Sequence, residues 1–379
     1  MNILCKSCVL HSNDLAIHYD IYLDLDAKDY KGVVQIAHGM IEHKGNYKQI
    51  ANFLARNAFI VAVNDHRGHG DSVNCEPINP PALAEGARGR VESIQDSNKD
   101  SRESTKSTQD SRKSKMDCHD LTTAESRNDS ADSSDKIYLG EMGKNGFENA
   151  LDDMHNLCLS LKSRFKPKKF ILIGHSMGSL LSRRFLQEYE DELDMLVLCG
   201  TPKPEPFISV GIVFLKILRL FGFKNAARDF ANKFSLLSFN AKYAKIDNLN
   251  NGENSGVFWI NRDTAELKRK LGDSKQNFSF TINSFINLFV GLKRVFSPYP
   301  RKIANPSYES KLPILMISGE DDACGGFGVG ATRAFKHLVA QGYGNAELIL
   351  YANARHELFL ELNKDKVYSD ILAFIKRNL

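Results

Sequence analysis

Short apolar runs alternate along the chain with segments whose apolar residues recur at helical spacing. Runs without polar alternation are typical of strands that are buried on both faces of a sheet. The strand-like runs occupy residues 33–37, 59–63, 169–173, 195–198, 313–317 and 347–350, and helical patterns occupy residues 47–57, 146–163, 180–189 and 367–378. This order predicts an α/β fold with a mostly parallel sheet and helices on both of its faces.

The alternation lapses between residues 203 and 308, where helical periodicity continues without strand-like runs. We expect this segment to form a helical cap inserted in the sheet domain. Its stretch 207–223 is apolar except for a line through Ser209, Lys216 and Arg219, and it is too short and too charged to span a bilayer comfortably. Two interpretations stay open: a cap helix that packs against the sheet domain, and a lid whose apolar face lines an acyl pocket or touches a membrane.

One segment departs from the rest in composition. Residues 91–135 contain 11 Ser and no Phe, Tyr or Trp, together with 11 acidic and 7 basic residues. Little apolar surface is available there to offset the entropy of ordering the chain. We therefore predict a disordered low-complexity insertion at 86–135, which divides the sheet domain into residues 1–85, 136–202 and 309–379.

Net charge and cysteine content bear on which partners the protein binds and on the cellular compartment in which it works. The whole chain carries a net charge of +4, and the part outside residues 91–135 is more basic; this balance is compatible with an anionic lipid surface and equally with no particular partner. No basic stripe with interleaved aromatic residues occurs, so we expect no nucleic-acid partner. The seven Cys residues lack regular spacing, and the N-terminus lacks a signal-peptide pattern; both observations favour a cytoplasmic protein. Cys5 and Cys8 form a single C-x-x-C pair, and we expect no metal and no cofactor.

Residues 174–178 read Gly-His-Ser-Met-Gly and lie between a strand-like run and a helical pattern. In a sharp strand-to-helix turn the two glycines are needed because Cβ atoms find no room, and the serine is lifted out at the helix N-terminus. The five-residue pattern alone is weak evidence, but its position between these elements makes Ser176 the expected nucleophile.

A serine nucleophile requires a base that takes its proton and a carboxylate that orients the base. Residues 318–322 read Ser-Gly-Glu-Asp-Asp after one late strand, and His356 follows the next strand. Both positions lie at the carboxyl edge of the sheet, where α/β ligand sites gather. We expect His356 to be the base and Asp322 its partner, with Asp321 and Glu320 as open alternatives.

Acyl transfer places negative charge on a carbonyl oxygen, so two backbone N–H groups should already point at it. Met177 opens the helix after Ser176 and is expected to supply one donor. Met40 leaves the sheet after a His-Gly pair and is expected to supply the other. The polar, Gly-rich stretch 65–72 is interpreted as a tight, internally hydrogen-bonded loop without chemistry.

Six ordered motifs resemble the monoacylglycerol lipase and lysophospholipase branch of the α/β-hydrolases, which is also classed with the serine aminopeptidases. They lie at residues 38–47, 65–72, 174–179, 259–263, 319–322 and 355–358 and span most of the chain outside the insertion. The resemblance implies the α/β-hydrolase fold and a helical cap over an acyl-chain tunnel. It also implies a Ser176, Asp322, His356 triad with an oxyanion hole at Met40 and Met177.

Two positions depart from the animal-type monoacylglycerol lipases, which carry an Arg and a second His near the glycerol headgroup. Here these positions are Asn46 and Phe359, whereas Glu42 is retained. Glu42 and Phe359 are accordingly the expected substrate-binding residues, and the bacterial lysophospholipase-like members are the closer comparison.

Together these features predict a metal-independent serine hydrolase that cleaves the acyl ester of a lysophospholipid or a monoacylglycerol through an acyl-enzyme. The expected partners are a small lipid or ester substrate and, through the cap, the inner surface of the membrane. Three alternatives stay open: a generic carboxylesterase, a serine aminopeptidase similar to the proline iminopeptidases, and a catalytically silent hydrolase fold that only binds ligands. The family also contains acyltransferases.

Overall fold

The fold was obtained as a computed structural model, which describes residues 2–74, 137–233, 238–243, 256–276 and 278–379. The insertion predicted at 86–135 lies outside these residues.

Eight strands form one sheet in the order β1-β2-β4-β3-β5-β6-β7-β8. The strands are β1 (Ile3–Ser12), β2 (Leu15–Asp24), β3 (Gly32–Ala37), β4 (Phe59–Asn64), β5 (Phe170–His175), β6 (Met195–Cys199), β7 (Ile314–Gly319) and β8 (Ala346–Tyr351). The pairs from β4 through β8 are parallel, whereas β2 is antiparallel to both β1 and β4. The prediction of a mostly parallel sheet is confirmed, and the β1–β2 hairpin extends it at one edge.

Helices cover both faces of the sheet, as the buried strands require. One face packs against α1 (Lys48–Ala55) and α10 (Lys364–Arg377) through side chains such as Leu54 and Phe374. The other face packs against α2 (Gly146–Phe165), α3 (Met177–Tyr189) and α9 (Val329–Ala340).

Between β6 and β7 the described residues form helices and no strand. The α-helices are α4 (Ile208–Leu220), α5 (Lys224–Asn232), α6 (Thr264–Leu271), α7 (Ile282–Val295) and α8 (Pro300–Ala304), and Ser238–Tyr243 forms a 3-10 helix. We call residues 203–308 the cap. Phe285 and Ile286 of α7 join the apolar core that contains α2 and α3, so α7 fixes the cap to the sheet domain. None of the helices in the described part of the chain is long and apolar enough to cross a bilayer.

Candidate active site

The turn between β5 and α3 holds Ser176 in a strained conformation. Its φ of 53° and ψ of −115° lie in a region that non-glycine residues rarely adopt. The turn is also crowded: a Cβ atom on Gly178 would lie 2.1 Å from the carbonyl oxygen of Ala37, and one on Gly174 would lie 2.4 Å from the carbonyl oxygen of Gly178. The glycines let α3 approach β3 this closely, and the close approach holds the serine at the carboxyl edge of the sheet.

The structure brings Ser176, His356 and Asp322 into one hydrogen-bonded line. Nε2 of His356 lies 2.9 Å from Oγ of Ser176, and Nδ1 lies 3.0 Å from each carboxylate oxygen of Asp322. Complete burial acts to raise the pKa of Asp322, but the charge and hydrogen bond of His356 and the Gly325 N–H outweigh it, so the pKa is lowered. An ionised Asp322 favours the imidazole tautomer with a proton on Nδ1, which leaves Nε2 free to accept the serine proton.

The neighbouring acidic residues are used elsewhere. Glu320 is exposed, and the Asp321 carboxylate pairs with Lys242 at 2.9 Å, while the Asp321 carbonyl accepts a hydrogen bond from Tyr243. Of the three carboxylates in this turn, Asp322 is therefore the one that contacts His356.

The predicted N–H donors lie next to residues that border Ser176. A Cβ atom on Gly39 would lie 3.1 Å from Cβ of Ser176, and Met40 is the next residue after Gly39. Met177 follows Ser176 directly and begins α3. The oxyanion hole at Met40 and Met177 stays a prediction, and both residues lie next to a residue of the serine turn in the chain or in space.

Glu42 and Phe359, the expected substrate-binding residues, are both buried and have internal partners. Oε2 of the buried Glu42 accepts hydrogen bonds from the Gly39 N–H at 2.9 Å and from the Tyr47 hydroxyl at 2.5 Å. The Phe359 ring is buried and packs against the rings of Tyr47 and His175, each at a centroid distance of 5.9 Å. Both side chains support the loop that follows β3, because these internal partners engage them.

Glu42 belongs to a buried cluster of charged side chains that the sequence analysis did not predict. The Lys270 ammonium from α6 contacts the Glu357 carboxylate and lies 3.4 Å from Oε1 of Glu42. Burial raises the pKa of Glu357 to about 7, partly offset by Lys270, whereas Lys270 and His175 outweigh burial at Glu42 and lower its pKa. Burial tends to lower the pKa of His175, but the charge of Glu42 raises it. No local sequence pattern could predict the cluster, since Glu42 and Lys270 are 228 residues apart.

The cap also reaches the base directly. The Trp259 ring lies 5.0 Å from the His356 ring, centroid to centroid. The Arg355 guanidinium donates hydrogen bonds to the carbonyl oxygens of Phe258 and Asn261 at 2.5 and 2.9 Å. The loop that carries His356 is therefore covered by the cap segment 258–261.

The polar stretch 65–72 forms the internally bonded loop that its composition indicates. The Asp65 carboxylate accepts the N–H groups of Lys44 and Asp71 at 2.7 and 2.9 Å, and it pairs with the Lys44 ammonium at 2.7 Å. Arg67 pairs with Asp153 of α2 at 2.8 Å. Within the described ranges, no group of three or more His, Cys, Asp or Glu side chains is arranged to hold a metal ion.

Comparison with known proteins agrees with this architecture. A family model described as the alpha/beta hydrolase fold matches residues 32–361. Among solved structures, the chain is similar to a thermostable carboxyl esterase from Bacillus coagulans in complex with glycerol, with a TM-score of 0.66 and 20% identity over 99% of this chain and 98% of that one. It is similar to a lipase in an open form, with a TM-score of 0.69 and 20% identity over 99% of each chain.

A third similar structure is a monoacylglycerol lipase from Paleococcus ferrophilus, with a TM-score of 0.54 and 14% identity over 100% of each chain. A search of curated proteins gave no match. The family model covers most of the chain. The chain therefore belongs to the α/β-hydrolase fold family.

Proposed function

We propose that the protein is a serine hydrolase that cleaves carboxylic esters. The observation that carries the proposal is the continuous line from Ser176 Oγ through both nitrogens of His356 to Asp322, at 2.9 and 3.0 Å. This arrangement supplies a nucleophile, a base and an orienting carboxylate within hydrogen-bond reach of one another.

In this mechanism His356 takes the hydroxyl proton as Oγ of Ser176 attacks the ester carbonyl carbon. The Met40 and Met177 N–H groups stabilise the resulting oxyanion, and Asp322 stabilises the imidazolium. His356 then gives the proton to the departing alcohol oxygen, which leaves an acyl-enzyme. Water, deprotonated by His356, attacks the acyl carbonyl, and the proton returns to Ser176 as the carboxylic acid departs.

For the substrate, we propose an ester with a single acyl chain, of the lysophospholipid or monoacylglycerol class. The six motifs that resemble this branch of the family support the proposal, as do the similar structures, which include a carboxyl esterase, a lipase and a monoacylglycerol lipase.

Purified protein tests the proposal against lysophosphatidylcholine, monoolein, p-nitrophenyl butyrate and a proline arylamide. We expect hydrolysis of the three esters, and Ser176→Ala should lower turnover about 10⁴-fold because the triad acts as a unit. A fluorophosphonate should label the wild-type protein and spare the variant. Turnover of the arylamide alone would instead indicate a peptidase, and absence of both turnover and labelling would indicate a binding protein.

Helix α4 of the cap carries an exposed apolar patch that suggests where the protein binds such a substrate. On α4 the buried side chains are Ile212 and Leu215, yet the opposite face is also apolar. A helix that faces water normally carries polar residues there, and an exposed apolar patch of this kind marks an interaction site. The exposed apolar side chains of the patch are Phe207, Val210, Val213, Phe214, Ile217, Leu220, Phe221, Phe223 and Phe230.

The charge around this patch favours an anionic partner. Residues 207–233 carry the basic side chains Lys216, Arg219, Lys224, Arg228 and Lys233 against the single acidic Asp229. Basic residues beside an apolar helix face match the surface of a membrane that contains anionic phospholipids. We propose that the patch docks on such a bilayer at the inner face of the cell membrane, where single-chain lipids are dissolved.

Co-sedimentation with vesicles tests the docking. Wild-type protein should bind vesicles of mixed phosphatidylglycerol and phosphatidylcholine more tightly than vesicles of phosphatidylcholine alone, and high salt should weaken the binding. Leu220→Glu with Phe221→Glu should abolish binding while turnover of soluble p-nitrophenyl butyrate stays unchanged. Leu25→Glu, an exposed apolar residue outside the cap, is the control. Binding that survives the double change, or a dimer that the change dissolves without any vesicle binding, contradicts the membrane as the occupant.

A further inference from the structure

The Lys270 side chain lies between two loops that matter for the proposed reaction. One loop follows β3 and carries Gly39 and Met40; the other follows β8 and carries His356. Glu42 belongs to the first loop and Glu357 to the second, and the Lys270 ammonium contacts both carboxylates. The side chains of Lys270, Glu42 and Glu357 are only 12%, 4% and 5% exposed.

Each of the two glutamates is linked to a backbone group near the catalytic residues, Glu42 through its carboxylate and Glu357 through its own backbone. Glu42 accepts the Gly39 N–H at 2.9 Å, which orients the peptide that leads to Met40. Glu357 is the residue after His356, and its own N–H donates to the Ile260 carbonyl of the cap at 2.9 Å. A displacement of either carboxylate therefore moves an oxyanion donor or the base.

Other contacts hold α6 and the residues after it across the loop that follows β3. His43 contacts Asp273 at 2.8 Å, and the Asn46 side chain donates to Gln276 at 2.9 Å. The cap therefore contacts the sheet domain through polar side chains at its α6 end, whereas apolar side chains are exposed at its α4 end.

We propose that Lys270 is a positioning residue that couples the cap to the catalytic geometry by holding the Met40 loop and the His356 loop together. The inference rests on the proposed hydrolase function. Removal of the cation takes away the group that both carboxylates contact. Above the pKa of Glu357 the two buried carboxylates also repel each other, because burial leaves little solvent to screen them. The loops should then move apart, and the donor and base should lose their alignment with Ser176. Misplacement on the scale of 1 Å is enough to lower turnover by about 10²-fold.

The test compares Lys270→Met with Lys268→Met, an exposed lysine on the same helix. Lys270→Met should lower kcat for p-nitrophenyl butyrate by about 10- to 100-fold with little change in KM, and the control should match wild type. The rate at which a fluorophosphonate labels Ser176 should fall by the same factor, since labelling reports the nucleophile and its donors. Normal labelling with reduced kcat would place the defect in substrate entry and overturn the inference.

A double variant separates positioning from simple packing. In Lys270→Met with Glu357→Gln the repulsion between the two carboxylates is gone, so at a pH well above the pKa of Glu357 kcat should exceed that of Lys270→Met alone. Independent effects would make the double variant worse than either single change, which would overturn the inference. If Lys270→Met does not fold, Glu357→Gln alone tests the inference. This change weakens the contact between Lys270 and the His356 loop, so kcat and the labelling rate should fall severalfold. Unchanged rates would overturn the coupling.

These outcomes are distinct from a failure of the proposed function. If the wild-type protein neither hydrolyses an ester nor reacts with the fluorophosphonate, the hydrolase assignment fails. If the wild-type protein does both and Lys270→Met equals it, only the positioning role fails.

Discussion

Both carboxylate oxygens of Asp322 lie 3.0 Å from Nδ1 of His356. The same carboxylate accepts the Gly325 N–H at 3.0 Å, so it is held in place from a second direction. This geometry makes Asp322 a buried, ionised anchor for the imidazole. The adjacent Asp321 points to Lys242 instead and provides a matched comparison.

Asp322→Asn should lower kcat for ester substrates by about 10³- to 10⁴-fold, because an amide no longer stabilises the imidazolium or selects the productive tautomer. Asp321→Asn should leave kcat within about twofold, since its carboxylate pairs at the surface. Steady-state kinetics on p-nitrophenyl butyrate measures both. Equal losses of kcat in the two variants would show that contact with His356 does not identify the carboxylate that orients it.

The core sheet and the Ser, His and Asp positions were accessible from the sequence because local patterns specify them. Apolar runs define β3 to β8, and parallel strands bring the residues that follow β5, β7 and β8 to one edge. What remained ambiguous was the choice among Glu320, Asp321 and Asp322. That choice depends on the direction of each side chain in a single turn, which spacing along the chain does not report.

The cluster around Lys270 was not accessible in this way. Its members come from the loop after β3, from α6 and from the loop after β8, and no periodicity connects them. Glu42 illustrates the consequence: its retained position predicts a substrate contact but gives no sign of the hydrogen bonds that its carboxylate accepts from Gly39 and Tyr47. A buried charge is recognised only when its partners are known, because its sequence neighbours look like those of any loop residue.

The close approach of α3 to β3 predicts that Gly178→Ala will be destabilising. The added Cβ would lie 2.1 and 2.6 Å from the carbonyl oxygens of Ala37 and His38, which are backbone atoms that cannot rotate away. We expect the free energy of unfolding to fall by about 2–3 kcal/mol, together with a loss of esterase activity as the end of β3 shifts. Chemical denaturation measures the effect. Gly344→Ala, where the Cβ would meet nothing within 4 Å, should change stability by less than about 0.5 kcal/mol. Equal stability of the two variants would contradict the crowding.

The buried pair between Arg67 and Asp153 should anchor the loop at 65–72 to α2. Their side chains are 1% and 0% exposed and lie 2.8 Å apart, so Asp153→Asn would leave the guanidinium charge without its main partner. The expected loss is about 3–5 kcal/mol in the free energy of unfolding. The exposed pair of Asp29 and Lys168 offers the comparison, and Asp29→Asn should cost less than about 1 kcal/mol. Denaturation curves in urea distinguish the two, and a similar small loss at both sites would argue against the anchoring role.

Burial of Glu357 predicts a specific dependence of stability on pH. Burial raises the pKa of its carboxyl group to about 7 from an ordinary value of 4.5, so the folded protein holds this proton more tightly than the unfolded chain. Between pH 4.5 and pH 7 the folded state therefore binds more protons at this site, and its contribution to stability falls as pH rises through this window. Glu357→Gln removes the titration and keeps a carbonyl oxygen for Lys270.

The difference in free energy of unfolding between Glu357→Gln and wild type should therefore shift in favour of the variant by up to about 3 kcal/mol from pH 5 to pH 8. It should be nearly constant above that range, where the wild-type carboxyl group is ionised in both states. Urea denaturation at a series of pH values measures the difference. Two curves that run parallel over the whole range would mean that Glu357 titrates alike in the folded and unfolded chains, which would contradict the raised pKa of its buried carboxyl group.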